Sequence, residues 1–391
     1  MKIGVPKEIK VLEGRVALTP YACAELIQQG HEVFLEATAG ELSGYQNADY
    51  VAQGVVIKPS AAELYASASL IVKVKEPVAD DLQYLHKNHI LFCYLHLAAN
   101  RILTEKLCEI GLTALAFETV TDEAGHLPLL KPMSEIAGTL AIQVGTHLLH
   151  QPQGGKGIML GGLALIESSD INSSSNDSLL ADQSVIDPHI RDPHIIDPHI
   201  IDKGTVVILG AGIAGSAAAV QAAACGAQVI LVDREASRYK KLCDAYPNIE
   251  GVLSTESTIA QLVKRADLLI GAVLLPGLKA PKLVSESQVQ TMQAGSVIID
   301  ISVDQGGCIE TIRPTNYQQP TYLKHEVLHF GVSNMPGAVP RTASQALSAV
   351  ILPYVKCLSE EGWEQYGGLR NGLNVRKGHI DNALIASALK S

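Results

Sequence analysis

One segment in the second half of the chain limits the fold more than any other: an apolar run that leads straight into closely spaced glycines. Residues 206–209 read VVIL, which is typical of a buried strand, and residues 210–215 read GAGIAG. An alanine-rich stretch suited to a helix follows, and Asp233 ends the next apolar run. A glycine turn between a strand and a helix, with an acidic residue about 20 positions on, is the fingerprint of a dinucleotide-binding unit. The segment predicts a doubly wound α/β fold of the Rossmann type.

Each of the three glycines has a physical reason for its position. Gly210 would allow the tight turn, Gly212 would let a pyrophosphate approach the backbone, and Gly215 would let helix and strand pack closely. The carboxylate of Asp233 would accept hydrogen bonds from both ribose hydroxyls and repel a 2′-phosphate, which favours NAD over NADP. A glycine turn without any nucleotide is the structural alternative. Two arginines close to this aspartate, Arg234 and Arg238, leave NADP as an alternative cofactor.

The rest of the chain alternates short apolar runs with helical patterns, which indicates parallel α/β sheets. Its 391 residues are enough for two domains. The apolar runs predicted as strands are residues 3–5, 33–36, 70–74, 91–96, 113–117, 203–209, 228–232, 266–270, 295–300 and 328–332. We expect a helix over about residues 135–149 to bridge two α/β units, and a late helix to begin at the capping-box pattern of Thr342–Gln345.

Composition narrows the possible partners. With 30 basic against 40 acidic residues the formal net charge is −10, and only 4% of residues are aromatic, so we expect no nucleic-acid partner. No apolar run approaches the roughly 18 residues of a membrane span, and the first residues lack the apolar core of a signal peptide. We therefore expect a cytoplasmic protein without membrane contact. Seven scattered cysteines predict neither a disulfide framework nor a metal site.

One segment does not fit the alternation of strands and helices. From about residue 164 to residue 202 the chain is first rich in serine and then repeats the unit Asp-Pro-His-Ile three times. Proline at every fifth position prevents a continuous helix or a central strand, so we interpret the segment as a mobile surface insertion. Metal binding by the repeated histidines is the alternative, which the entropy cost of ordering such a tract disfavours. These histidines are His189, His194 and His199.

Polar residues follow several apolar runs, where the carboxyl edge of a parallel sheet is expected. Lys73 and Lys75 are two positions apart and would share one face of a strand. His96 and Asp304 end or follow two further apolar runs. Each residue alone has an ordinary structural explanation, such as solvation or a satisfied hydrogen bond. Because ligands bind at this edge of open sheets, the set beside a nucleotide site indicates anion binding and acid–base chemistry.

Several longer motifs occur together along the chain in a fixed order. They are GVPKEIK over residues 4–10, RVALTP over 15–20, VKVKEP over 72–77, YLHLA over 94–98, PMSEIAG over 132–138, DQGG over 304–307 and NMPGAVPRT over 334–342. With these motifs the chain resembles the alanine dehydrogenase/transhydrogenase family over nearly its whole length, apart from the insertion. Such a set is far more specific than a single glycine loop.

The resemblance implies an NAD-linked enzyme that reversibly deaminates L-alanine to pyruvate and ammonium. It implies that His96 is the general acid and base and that Asp304 assists in activating water or ammonia. The residues implied to bind substrate are Arg15 and Lys75, which would hold the carboxylate and carbonyl, with Met133 and Asn334 lining the pocket. The residues implied to contact NAD are Ser134, Gly210, Gly212, Ile213, Ala214, Gly215, Asp233, Val273 and Leu274.

The resemblance also implies an architecture. A discontinuous substrate domain of about residues 1–130 plus 341–391 would carry an inserted NAD-binding domain of about residues 131–340, with the active site in the cleft and a homohexameric assembly. Three alternatives stay open. The chain could be the NAD-binding component of a transhydrogenase, although such relatives usually lack an aspartate at the position of Asp304. It could be a non-catalytic NAD-binding regulator, or a dehydrogenase of another small amino acid such as serine or glycine.

Overall fold

The computed structural model describes residues 1–162, 203–274 and 279–389. The segment predicted as an insertion, about residues 164–202, lies outside the described residues. The strands, numbered along the chain, are β1 Lys2–Val5, β2 Glu32–Glu36, β3 Val56–Lys58, β4 Leu70–Val72, β5 Ile90–Cys93, β6 Thr113–Ala116, β7 Thr205–Leu209, β8 Gln228–Asp233, β9 Ile249–Leu253, β10 Leu268–Gly271, β11 Val297–Asp300, β12 Thr321–Lys324, β13 Val327–Phe330, β14 Leu373–Arg376 and β15 His379–Ile380. The helices are α1 Pro20–Gln28, α2 Asn47–Val51, α3 Ala61–Ser67, α4 Ala79–Leu82, α5 Arg101–Ile110, α6 Lys131–Leu148, α7 Ile213–Ala224, α8 Ala236–Ala245, α9 Glu256–Val263, α10 Glu286–Val289, α11 Pro340–Leu358, α12 Gly367–Gly372 and α13 Ala383–Ala388.

The strands form two sheets that are mainly parallel. The first sheet has the order β15-β14-β6-β5-β4-β1-β2-β3, and the second has the order β12-β13-β11-β10-β7-β8-β9. In each sheet the earliest strand lies in the interior and later strands are added on both sides of it, which is doubly wound topology. The predicted α/β fold with a Rossmann-type unit is therefore confirmed. The first sheet is doubly wound as well, with later strands on both sides of β1, which the sequence did not reveal.

Strands from both ends of the described chain contribute to the first sheet. β14 pairs antiparallel with β6, and β15 pairs antiparallel with β14. β12 and β13 form the antiparallel edge of the second sheet. The domain boundaries at about residues 130 and 340 stay a prediction.

Apolar side chains lie on both faces of the second sheet. In β7, Val206 and Ile208 belong to the cluster on one face, whereas Val207 and Leu209 belong to the cluster on the other. A strand that is buried on both faces needs apolar residues at every position. That requirement explains why the central strands read as nearly continuous apolar runs.

Two long helices, α6 of 18 residues and α11 of 19 residues, pack against each other. α6 carries Met133 and Ser134 in its first turn and then packs on α7. The close approach depends on Gly138, because a Cβ there would lie 2.1 Å from the carbonyl oxygen of Ala214. In the part of the chain that the structure describes, no helix has the length and apolar character needed to cross a bilayer.

Some local predictions are wrong. β4 and β5 are shorter than predicted, so Lys73, Lys75 and His96 lie beyond the strand ends. α11 begins at Pro340 rather than at Thr342, because the fixed φ of proline suits the first helical turn. The sequence did not predict β3, β9, β12, β14 and β15, which are short or carry exposed polar residues and therefore give weak apolar patterns.

Candidate active site

The predicted site residues lie beyond the point where the strand order of each sheet reverses. Ligands of doubly wound sheets bind outside the carboxyl ends of the strands at that reversal. In the first sheet the reversal falls between β1 and β4, and the chain runs on from these strands to Arg15 and Lys75. In the second sheet it falls between β7 and β10, which lead directly to Gly210 and Val273. One reversal thus carries predicted substrate residues and the other carries predicted cofactor residues.

We call Arg15 and the residues that contact its guanidinium, which are Met133, Asn334 and Glu13, the substrate cluster. Only 2% of Arg15 is exposed. Nη2 of Arg15 donates to Oδ1 of Asn334 at 2.7 Å, and Nη1 lies 3.2 Å from Sδ of Met133. Because a thioether is a weak acceptor, Nη1 retains hydrogen-bonding capacity for another group. The structure therefore brings three predicted substrate residues together, and it adds Glu13, which pairs with the guanidinium and which sequence reasoning missed.

Lys75 follows β4 of the first sheet, and the charge of Arg15 acts on it. Burial lowers the pKa of Lys75, and the positive charge of Arg15 lowers the pKa further. The carboxylates of Glu76 and Asp304 act in the opposite direction and raise the pKa. Lys75 is therefore a cation whose proton is held less firmly than that of a surface lysine.

Asp304 reaches the cluster from the second sheet. Its Oδ2 accepts a hydrogen bond from the backbone N–H of Asn334 at 3.2 Å, and the residue is exposed. The buried Asp300, which ends β11, shapes the turn that carries it. Oδ1 of Asp300 accepts from the N–H of Ser302 at 2.9 Å, and Oδ2 accepts from that of Cys308 at 2.8 Å. Asp300 is thus structural, whereas Asp304 is available to a ligand.

His96 lies after β5 in a left-handed backbone conformation, with φ of 51°. This conformation is rare for residues other than glycine, and such strain clusters at functional sites. The side chain is 48% exposed, and its ring stacks on that of Tyr94 with centroids 6.2 Å apart. Burial raises the pKa of Tyr94, and the charge of Arg15 acts against that rise.

A second missed residue, Glu118, holds the histidine loop. Oε1 of Glu118 accepts hydrogen bonds from the backbone N–H groups of Leu95 and His96 at 3.0 and 2.5 Å. The same oxygen lies 4.0 Å from Nδ1 of His96. The sequence signal that could have identified Glu118 is its position directly after the apolar run of residues 113–117. Other predicted site residues were found by the same kind of position.

The glycine loop makes a tight turn, with open space beside its second glycine. Gly210 has φ of 103°, and a Cβ there would lie 2.7 Å from the carbonyl oxygen of Ala272. A Cβ on Gly215 would lie 1.8 Å from the carbonyl oxygen of Gly210. Gly212, in contrast, has an ordinary φ of −74°, and no atom lies within 4 Å of a Cβ built on it. The fold itself does not require this glycine, so the open space beside it fits a ligand that approaches the backbone.

A groove of about 740 Å³ runs along this loop. It is lined by Gly212 and Ile213, by residues of α6 that include Lys131 and Thr139, and by Arg238 of α8. Ile213 exposes 43% of its surface there, at the start of α7. The α6 residues were not predicted from the sequence. They line the groove because α6 and α7 pack so closely.

The remaining predicted cofactor residues lie around the same loop. Oδ2 of Asp233 accepts from the N–H of Ala211 at 2.8 Å, so the carboxylate that ends β8 also holds the glycine turn. Val273 and Leu274 follow β10, and Leu274 exposes 47% of its surface. A Cβ on Gly210 would lie 3.3 Å from Cγ2 of Val273, which places these two residues beside the turn.

Two family models match the chain. The model described as the N-terminal domain of alanine dehydrogenase/PNT matches residues 4–137, and the model of the C-terminal domain matches residues 198–383. An alanine dehydrogenase from Halomonas elongata is 40% identical over an alignment of 393 positions, which covers 99% of this chain and 96% of that protein. One from Bacillus subtilis (strain 168) is 41% identical over an alignment of 395 positions, which covers 100% of this chain and 95% of that protein.

Solved structures resemble the whole described fold. An L-alanine dehydrogenase structure superposes with a TM-score of 0.87 at 42% identity and covers 100% of this chain and 99% of its own. A transhydrogenase structure from Sinorhizobium meliloti superposes with a TM-score of 0.77 at 19% identity and covers 98% of this chain and 99% of its own. The second likeness shows a shared fold only.

Proposed function

The chain belongs to the alanine dehydrogenase/PNT family, and from this premise we propose that it catalyses the reversible NAD-dependent oxidative deamination of L-alanine to pyruvate and ammonium. It is an oxidoreductase with small-molecule substrates. The observation that carries the proposal is the buried guanidinium of Arg15, whose charge acts on Lys75. Two cations in one site suit a small acid that has a carboxylate next to a carbonyl or amino carbon.

The two cations orient the substrate. Nη1 of Arg15 would bind the carboxylate, and Lys75 would donate to the carbonyl oxygen of pyruvate. As ammonia adds to that carbon, negative charge develops on the oxygen, and the lysine stabilises it. Fixing both ends of a three-carbon acid holds the reacting carbon in place, which lowers the entropy cost of reaction. Met133 and Asn334, which both contact Arg15, would line the pocket.

His96 and Asp304 would carry out the proton transfers. In the deamination direction a water molecule adds to the imine carbon, and its proton must be accepted before ammonia can leave. Histidine accepts and returns protons at neutral pH, which suits it to both steps. Asp304, which is exposed and bonded to the backbone N–H of Asn334, would hold the attacking water or ammonia.

The residues around the glycine loop fit NAD. When bound, NAD supplies the acceptor for the hydride that leaves Cα of L-alanine. The helix start at α7 and the space beside Gly212 would hold the pyrophosphate, and Asp233 would bind the ribose hydroxyls. The other residues proposed to contact the cofactor are Ser134, Gly210, Ile213, Ala214, Gly215, Val273 and Leu274.

The proposal includes the domain division and the assembly. The first sheet would belong to a substrate domain of about residues 1–130 plus 341–391, and the second to an NAD-binding domain of about residues 131–340. We further propose a cytoplasmic homohexamer, as the resemblance to the family implies. The mass of the purified protein by light scattering tests the assembly.

The experiment that tests the activity follows the absorbance of NADH with purified protein. L-alanine with NAD, and separately pyruvate with ammonium and NADH, should both react, whereas D-alanine should not and NADP should react weakly. Serine and glycine measure the strictness of the site. NADH binding without turnover of any of these amino acids would favour a regulator, and hydride exchange between two nicotinamide dinucleotides would favour a transhydrogenase.

A further inference from the structure

Glu13 is a buried carboxylate that contacts Arg15, and the proposed mechanism assigns it no role. Its side chain is 1% exposed. Oε1 accepts a hydrogen bond from Nε of Arg15 at 2.6 Å, and Oε2 accepts one from Nη2 at 2.5 Å. This is a bidentate carboxylate–guanidinium pair, which fixes the plane of the guanidinium as well as its position.

The hydrogen-bond partners of Arg15 determine which edge of its guanidinium is left for a ligand. A guanidinium has five N–H donors. The Nε donor goes to Glu13, and the two donors of Nη2 go to Glu13 and Asn334. Among the residues that the structure describes, Nη1 has one partner, the sulfur of Met133 at 3.2 Å. Glu13 therefore leaves the Nη1 edge as the one on which a substrate carboxylate can find strong, unshared donors.

The carboxylate of Glu13 also fixes the neighbours of this pair. Its Oε1 accepts from the backbone N–H of Arg15 at 3.1 Å, so the local backbone is held together with the side chain. Its Oε2 accepts from Nδ2 of Asn334 at 2.9 Å. Because Asn334 gives its amide N–H to Glu13 and its amide oxygen to Arg15, only one orientation of that amide satisfies both contacts.

The pair stays ionised at neutral pH. Burial alone would raise the pKa of Glu13, but the hydrogen bonds and charge of Arg15 outweigh burial and lower the pKa. A charged, doubly bonded carboxylate gives Arg15 a single orientation before substrate arrives. Without it, the guanidinium could rotate about its own side chain, and a bound carboxylate would follow that rotation.

We propose that Glu13 is a positioning residue, which holds the guanidinium of Arg15 in the plane that presents Nη1 to the substrate carboxylate. The inference rests on the proposed alanine dehydrogenase function. Glu13 acts through Arg15 and does not touch the reacting atoms. Its contribution is therefore to the orientation of bound substrate, which affects the rate of the chemical step more than the affinity.

Two substitutions separate orientation from charge. Glu13→Gln keeps the shape but replaces one acceptor by an NH2 group that meets the guanidinium donors. Glu13→Asp keeps the charge but is one methylene too short to reach both Nε and Nη2. We expect kcat for L-alanine to fall about tenfold or more in both variants, with KM changed less than about threefold, because the cation that attracts the carboxylate remains. Glu25→Gln, which breaks an ion pair with Lys356 away from the site, is the matched control and should keep the wild-type kcat.

Each other outcome contradicts the proposal in a recognisable way. If Glu13→Asp is as active as wild type while Glu13→Gln is not, charge alone matters. If kcat falls only in proportion to the fraction of protein that binds NADH, Glu13 is merely structural. Unchanged kcat in both variants overturns the role of Glu13 alone, whereas wild-type protein without alanine turnover overturns the proposed function as well.

A structure of the wild-type protein with pyruvate and NADH tests the same point without substitutions. The proposal requires that both oxygens of Glu13 stay bonded to Nε and Nη2 while the pyruvate carboxylate binds Nη1. A carboxylate that displaces Glu13 from the guanidinium would overturn it. This measurement decides the matter if both variants fail to fold.

Discussion

Arg15 and Asn334 are 319 positions apart in the chain, yet Nη2 of Arg15 donates to Oδ1 of Asn334 at 2.7 Å. Arg15 follows the first strand of one sheet, and Asn334 follows β13 of the other. The bond therefore joins the carboxyl edges of the two sheets. A pocket built in this way depends on both sheets, so its geometry should respond to any change in how they sit together.

Replacing His96 by Ala should collapse turnover and leave NADH binding nearly unchanged. Loss of a general acid–base typically costs about 10²- to 10⁴-fold in kcat. His96→Asn is a useful companion, because asparagine tolerates the left-handed backbone at this position. The measurements are kcat for L-alanine and the Kd of NADH, with the exposed His126→Ala as control. Equal loss of turnover and NADH binding would identify His96 as a structural residue.

Pyruvate binding should weaken as the pH rises. It should do so at a lower pH than if an ordinary, exposed lysine bound the substrate. Burial and the charge of Arg15 lower the pKa of Lys75, so its ammonium is lost before that of an exposed lysine as the pH rises. The Kd of pyruvate for the NADH complex, measured without ammonium, should rise about tenfold per pH unit above that pKa. Lys75→Arg stays protonated, so the rise should disappear. The same alkaline rise in both proteins would assign it to another group.

Asp233→Ala should weaken NADH binding and reduce the discrimination against NADPH. The carboxylate that would repel a 2′-phosphate is removed, and the N–H of Ala211 loses its acceptor, which typically costs about 1–3 kcal/mol. The measurement is the ratio of the Kd values for NADH and NADPH. Asp244→Ala, an exposed position on α8, the helix that follows β8, is the control. An unchanged ratio would remove Asp233 from the ribose site.

Lys73→Met should destabilise the protein strongly. Nζ of Lys73 lies 3.2 Å from Oδ2 of Asp81 and 3.8 Å from Oε2 of Glu8, and all three side chains are at most 4% exposed. Removing the cation leaves buried carboxylates without a partner, which typically costs about 3–5 kcal/mol. Urea unfolding measures the loss of free energy. Lys106→Met, which breaks an exposed pair with Glu109, should leave stability nearly unchanged. Comparable stability of the two variants would contradict this account.

Excision of residues 168–201 should preserve activity within about twofold, provided the segment is a passive insertion. The N–H of Gly204 donates to the carbonyl oxygen of Leu160 at 2.9 Å, so the chain leaves and re-enters the described fold at one place. A short loop can therefore close the gap at small entropic cost. kcat, KM for NAD and the circular dichroism spectrum check the result. A folded but inactive product would show that the segment takes part in function.

The sequence predicted the central strands of both sheets, because these strands are buried on both faces. β10 and β11 are apolar at nearly every position, and such runs stand out in any sequence. The half-polar strands β9 and β14 give no such pattern. Among the site residues, Arg15 and Asn334 were identified through the resemblance, because neither lies in a pattern that marks an element.

Glu13 and Glu118 show why part of the site was not predicted. Each is a carboxylate whose importance comes from what it contacts: the guanidinium of Arg15 in one case and the backbone of the His96 loop in the other. No local sequence pattern, such as apolar periodicity or a turn signal, identifies the partner of such a carboxylate. Its role becomes visible only when the partner's position is known.

The sequence by itself determined the alternation of strands and helices, the glycine turn at residues 210–215 and the carboxylate at Asp233 that follows it. These features are local, because turn chemistry and apolar periodicity act between residues a few positions apart. Only the tertiary structure separated Lys73, buried against Asp81, from Lys75, which the charges of Arg15 and Asp304 influence. Electrostatic pairing depends on distance in space, and the fold alone brings residues from opposite ends of the chain within that distance.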